Sequence, residues 1–244
     1  MNRQKDKNTN TSEIQQTTGA LLSADNTLSD KEISEGWQLL FDGKTNTGWM
    51  NAKSGKFPSD GWKIENGALI IDPEGKSKTG GGDIVTVKKF GNFELSLEFK
   101  YTPGANSGIK YFVDIEKDNG DLASIGCEYQ ILDDRLNEDA KAGVAGNHTL
   151  AALYDLIPPQ DVSDNGPGQW NKASIIVNDN KVQHLLNGIK TVEYERGTPE
   201  WRSLVAKSKY RNFEGFGEYH EGRILLQDHG HEVEFRNIKI REIK

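Results

Sequence analysis

Phe93-Glu94-Leu95-Ser96-Leu97-Glu98-Phe99 decides the fold. Phe93, Leu95, Leu97 and Phe99 fall on one side, and Glu94, Ser96 and Glu98 on the other. A strict period of two is that of an antiparallel strand with one face on a core and one toward water. The same texture recurs on both sides of it. Residues 62–65 and 68–72 flank Asn66-Gly67, a pair that takes the positive φ angles of a two-residue type I′ turn at low cost, which predicts a hairpin. Residues 37–41, 83–87, 109–115 and 127–132 read as further strands. Residues 170–177, 181–186 and 189–194 read as a meander joined by Asn178-Asp179-Asn180 and Asn187-Gly188, and residues 224–227 and 233–240 close the chain. One helix is predicted after Thr198, a good N-cap, with Pro199 in its first turn and Trp201, Leu204 and Val205 at helical spacing. Many short strands, one or two short helices and no strand–helix alternation give an all-β jelly-roll sandwich of two antiparallel sheets.

The chain has 244 residues, enough to bury roughly 70% of its unfolded surface without a metal or disulfide staple. Its single cysteine, Cys127, excludes an intrachain disulfide. A net charge of −7 argues against nucleic acid as a partner. No apolar run approaches the ~18 residues of a membrane span. Residues 1–35 are expected to be a flexible polar tail, and residues 36–244 a single sandwich domain. The first residues lack the apolar core of a signal peptide, which leaves a cytosolic chain or one whose leader was removed before Met1.

The densest polar stretch is Glu128-Tyr129-Gln130-Ile131-Leu132-Asp133-Asp134. On a strand, Glu128 and Gln130 share a face, and Asp133 joins them only if a bulge shifts the register by one. Carboxylates in a row on a sheet face are the acid and base of glycoside chemistry. The spacing resembles the E-x-D-x-x-E signature of laminarinase-type glucanases, with Gln130 and Asp133 in place of the second and third carboxylates. Losing the middle carboxylate weakens an ordinary retaining mechanism, and the plainer reading is a strand running into a polar loop. His229 and His231 are two apart and share a face if a strand persists through Gly230. With Glu128 or His148 they are candidate ligands for a divalent metal, the one cofactor the residues suggest. His229 is otherwise a general acid or base, or a hydrogen-bonded turn residue. Tyr154 is a proton donor, a sugar-stacking ring or a core tyrosine. Asn106-Ser107-Gly108, after Pro103-Gly104, reads as a turn or as a sugar contact, with Lys110 following on the strand. Arg236 reads as buried, either in a structural ion pair or as a ligand clamp. No G-x-S-x-G elbow, P-loop or dinucleotide fingerprint is present.

Several segments taken in order resemble a known family. They include Gly36-Trp37-Gln38-Leu39-Leu40-Phe41-Asp42-Gly43, Ala105-Asn106-Ser107-Gly108-Ile109, Glu128-Tyr129-Gln130-Ile131-Leu132-Asp133, Ala152-Leu153-Tyr154-Asp155, Leu226-Gln227-Asp228-His229-Gly230 and Phe235-Arg236-Asn237-Ile238. Across residues 36–243 the chain resembles the 3-keto-disaccharide hydrolases. The resemblance implies a concanavalin A-like lectin/glucanase sandwich. It implies a periplasmic or otherwise extracytoplasmic protein, often a lipoprotein, of sugar-degrading bacteria such as Bacteroidetes. It also implies a carbohydrate substrate already oxidised at C3.

A C3 ketone acidifies the C2 proton, so the glycosidic bond can break by elimination and water can then add to the enone. Chemical inference on the motif positions makes His229 or Glu128 the base. Lys110, Arg236 or a metal would stabilise the enolate, and Asp133, His148 or Tyr154 would protonate the leaving oxygen. Gln130, Asn106 and Gln227 would hold sugar hydroxyls. A non-catalytic lectin-like module and an ordinary β-glucanase are the alternatives, and free sheet edges permit a monomer or a homodimer.

Overall fold

The computed structural model describes residues 25–75, 81–115 and 125–243. Their apolar–polar alternation is expressed as two antiparallel sheets. The chain runs through α1 (Asp30–Ser34), β1 (Trp37–Leu39), β2 (Trp49–Asn51), β3 (Trp62–Glu65), β4 (Ala68–Ile71) and β5 (Ile84–Thr86). It continues through β6 (Phe93–Tyr101), β7 (Asn106–Val113), β8 (Cys127–Leu132), α2 (Asp139–Ala142), β9 (Asn171–Asn178) and β10 (Lys181–Leu186). Last come β11 (Ile189–Glu195), α3 (Pro199–Lys207), β12 (Arg223–Leu226) and β13 (Val233–Glu242). The larger sheet is ordered β11-β10-β9-β6-β13-β4-β3, with β1 also paired to β13, and the smaller β2-β5-β12-β7-β8. This is the expected jelly-roll sandwich of two antiparallel sheets. Among the described residues no helix is long and apolar enough to cross a membrane.

The core lies between the sheets. Phe93, Leu95, Leu97 and Phe99 of β6, with Ile175, Val177 and Phe235, meet Ile109, Tyr111, Tyr129, Ile131 and Leu226 of the smaller sheet. Each such side chain, fully buried, contributes about 1.5–3 kcal/mol. Because alternate residues of β7 and β8 fill the core, those between them lie on the outer face of the smaller sheet.

The hairpin forms as read, with Asn66 at φ 50° and Gly67 at φ 76° between β3 and β4. The meander β9-β10-β11 and the Pro199 helix also form. Asn106-Ser107-Gly108 is not a turn but the start of β7, its residues paired with Leu132, Ile131 and Gln130. Ladder hydrogen bonds from β8 outweigh the turn preference of Asn and Gly there. Residues 1–24 of the polar segment lie outside the described residues. Residues 25–35 carry α1, closed by a capping box between Ser29 and Glu32, and Asn26 exchanges hydrogen bonds with Asn237 beside the bulge in β13.

One histidine is buried between the sheets. His184 on β10 lies 2.8 Å from the Tyr111 hydroxyl, which is itself 2.7 Å from that of Tyr194. Burial lowers the His184 pKa from 6.5 to about 3, so the folded state holds it neutral. The unfolded chain therefore binds the extra proton first, and the stability this group confers is lost as pH falls from about 6.5 toward 3. Urea unfolding of His184→Gln at stepped pH should give a flatter acid limb than wild type, and coincident limbs would refute the assignment.

Candidate functional site

The in-register pairing of β7 with β8 sets Lys110 opposite Glu128 and Gly108 opposite Gln130 on the outer face of the smaller sheet. Gln227 follows β12 and donates its backbone N–H to the Gly108 carbonyl, which brings its side chain beside Glu128. Glu128 is only 3% exposed and Gln130 is fully buried. Lys110 Nζ lies 3.6 Å from Glu128 Oε2. With the Gln227 amide turned so that donor meets acceptor, it donates to Glu128 Oε1 at 3.1 Å and accepts from Lys110 Nζ at 3.1 Å. Glu128 Oε2 and Gln130 Oε1 are buried and make no hydrogen bond. Gly108 makes this packing feasible, because a Cβ there would stand 2.4 Å from Glu128 Oε1.

A second wall comes from the segment after β8. Ala151 and Ala152 exchange backbone hydrogen bonds with Gln130, and the Tyr154 N–H donates to the Glu128 carbonyl. The segment thus extends the edge of β8. His148 Nδ1 faces Asp139 Oδ1 at 3.0 Å and His148 Nε2 faces Asp155 Oδ1 at 3.1 Å. The Tyr154 ring stacks on this imidazole at 4.2 Å, and its hydroxyl donates to Asp139 Oδ1 at 3.2 Å. Burial first, then the Asp139 charge and hydrogen bond, push the Tyr154 pKa well above the ordinary value, so its O–H persists. Asp139 Oδ2 is 3.5 Å from the Gln130 amide nitrogen.

These walls enclose a cavity of about 320 Å³. Glu128, Gln130, Asn106, Gln227, Tyr154 and His229 of the sequence-derived candidates line it, joined by Asp139 and Lys209. Lys110 lies against Glu128 outside the lining, and His148 lies behind Asp139. His229 is exposed at the rim, its Nε2 3.1–3.3 Å from the Gln227 amide.

Three candidates do not converge on the cavity. No bulge interrupts the β7–β8 register, so Asp133 does not join Glu128 and Gln130. Its carboxylate instead accepts the backbone N–H groups of Gly104 at 2.9 Å, Arg135 at 3.1 Å and Leu136 at 3.4 Å, a loop anchor. Arg236 lies on β13 in the other sheet and is only half-buried. It pairs with Glu98 and Asp25, both at 2.7 Å, with its guanidinium over the Trp170 ring. His231 is exposed beyond Gly230, where the strand has ended. Among the described residues no three His, Cys, Asp or Glu side chains are grouped to hold a metal, so His229, His231 and Glu128 are not a ligand set.

Asp139 and Lys209 went unread in the sequence. The first opens a four-residue helix and the second follows the end of α3, so each looks like an ordinary surface charge. Lys209 is placed by its backbone N–H, which donates to Asp155 Oδ2 at 2.6 Å, and its Nζ lies 3.9 Å from the Tyr154 ring centre.

A family model described as a 3-keto-alpha-glucoside-1,2-lyase-like domain matches residues 36–241. A 3-keto-disaccharide hydrolase of Bacteroides thetaiotaomicron is 37% identical over 229 residues, covering 85% of this chain and 79% of that protein. A candidate glycosyl hydrolase of Parabacteroides distasonis, solved as a crystal structure, matches at TM-score 0.80 and 31% identity over 91% of this chain and 100% of its own. A second from that organism matches at TM-score 0.62 and 28% identity over 85% and 99%.

Gly108→Ala tests the packing of the site directly. The added methyl should displace the Glu128 carboxylate from Gln227 in a crystal structure and cost about 1–3 kcal/mol in urea unfolding, as overpacking does. An unmoved Glu128 would contradict the account.

Proposed function

This chain belongs to the 3-keto-disaccharide hydrolase family, a glycosidase-type hydrolase family, and on that premise we propose that it cleaves 3-keto-glycosides by elimination at C2 followed by addition of water. The observation that carries the proposal is Glu128. It is a buried carboxylate in a carbohydrate-sized cavity, with one oxygen held by Gln227 and the other free of hydrogen bonds.

Glu128 Oε2 takes the C2 proton. The electrons of the C2–H bond pass to C2–C3, and the C3 carbonyl oxygen becomes an enolate oxyanion. As the carbonyl re-forms, a C1–C2 double bond appears and the C1–O bond breaks. Tyr154, whose O–H is retained, gives its proton to the departing oxygen. Water then adds across the enone, hydroxyl at C1 and proton at C2, for a net hydrolysis. Lys110, with Nζ 3.6 Å from Oε2, sets a positive charge beside the base. Gln130 Oε1, buried without a partner, accepts a hydrogen bond from a sugar hydroxyl, and Asn106 and Gln227 hold others. This route needs one base and no paired nucleophile, which accords with an amide at Gln130 where a retaining glucanase carries a carboxylate.

Incubation with a 3-keto-disaccharide and with its unoxidised parent should release sugar from the ketone alone. Deuterium at C2 should slow the reaction, and Glu128→Gln should lower kcat by about 10²–10⁴-fold, the usual contribution of a general base. Equal cleavage of the unoxidised parent would sink the elimination and leave a conventional glycosidase.

A further inference from the structure

An elimination through an enolate requires a cation or strong donor at the developing oxyanion, and the cavity contains one that the sequence did not reveal. Arg236 is on the opposite sheet. Lys110 is tied to Glu128 and Gln227 outside the lining. Lys209 is the one lysine or arginine among the described lining residues.

Lys209 presents exposed surface, yet three features distinguish it from a freely solvated lysine. Its backbone is fixed, because its N–H donates to Asp155 Oδ2 while Asp155 Oδ1 holds His148, so the wall carrying Lys209 is fastened to the wall carrying Tyr154 and Asp139. Its ammonium lies over two aromatic faces, 3.9 Å from the Tyr154 ring centre and 5.0 Å from that of Tyr210. Among the described residues it has no carboxylate ion pair, unlike Lys110. Aromatic faces hold an ammonium in place without neutralising it. Partial desolvation lowers the Lys209 pKa below the ordinary lysine value, with the charges of Glu128, Asp155 and Asp139 opposing that shift.

We infer that Lys209 is the oxyanion-binding residue of this site, its ammonium donating to the C3 oxygen as the enolate forms opposite Glu128. The inference rests on the elimination reading for its place in the reaction, but not for its ability to bind an enolate. The proton balance is simple: Lys209 stays protonated throughout, Glu128 gains the C2 proton and Tyr154 releases one to the leaving group. Oxyanion donors fixed before the reaction are worth more than mobile ones, because no reorganisation is needed when charge develops.

Two measurements on Lys209→Met and Lys209→Arg test it. In turnover of a 3-keto-disaccharide, Lys209→Met should lower kcat by about 10²–10³-fold with little change in KM, and Lys209→Arg should recover at least about tenfold of that loss. In binding without turnover, kojic acid serves as probe, a planar pyranone whose ionised enol lies next to its carbonyl. Wild type should bind the ionised form at least about tenfold more tightly than Lys209→Met does, with Lys209→Arg between them. Unchanged kcat and unchanged kojate affinity in a folded Lys209→Met protein would overturn the inference. So would a Lys209→Arg enzyme as inactive as Lys209→Met and missing one limb of its pH–rate profile, since that marks a proton-accepting lysine. Discrimination between wild type and Lys209→Met by kojate, with no cleavage of the 3-keto-disaccharide by wild type, would uphold Lys209 as an enolate-binding cation and refute the proposed function instead.

Discussion

A carboxylate and an ammonium face each other where β7 pairs with β8, and the site is organised around keeping that pair out of bulk water. Burying a charge costs several kcal/mol, and an unpaired buried charge more than that. Glu128 meets the cost through Lys110 at 3.6 Å and the Gln227 amide on its other oxygen. This solution needs a residue without a side chain opposite Gln130, which Gly108 supplies. It also needs strict register, because a slip of one residue would send Glu128 into the core and Tyr129 out of it. Core and site are therefore set by the same alternation.

The facing wall is held differently. Backbone hydrogen bonds to Glu128 and Gln130 tie the segment carrying His148, Tyr154 and Asp155 to β8, and side chains fasten its far side. His148 presents both ring nitrogens to carboxylates, Asp139 on one side and Asp155 on the other, and Asp155 reaches on to the backbone of Lys209. The segment also carries Ala151 at φ 65° and Asp155 at φ 60°, left-handed conformations that non-glycine residues adopt at a cost. Strain of this kind persists only where the surrounding bonds over-determine the backbone. Here those bonds run to β8 and to the segment after α3.

The residues differ in how far the sequence disclosed them. Glu128, Gln130 and Gln227 were legible because they sit in or beside strands whose period tells which face each occupies. Asp133 misled because a strand end and a bulge look alike in sequence, and its carboxylate proved more useful to three backbone N–H groups than to a ligand. Arg236 misled because a strand pattern does not say which sheet receives the strand. Asp139 and Lys209 left no local mark at all. Their membership of the site depends on loops crossing the outer face of the smaller sheet, and on Asp155 joining two segments that lie far apart in the chain.

The sequence by itself determined every strand but β2, the faces of those strands, the type I′ hairpin at Asn66-Gly67 and the likeness to one hydrolase family, because these follow from side-chain period, backbone preference and motif order within short windows. The tertiary structure alone decided which charges converge. Convergence is set by sheet order and by contacts between residues such as Asp155 and Lys209, fifty-four positions apart. A pattern of neighbours in the chain carries no measure of that distance in space.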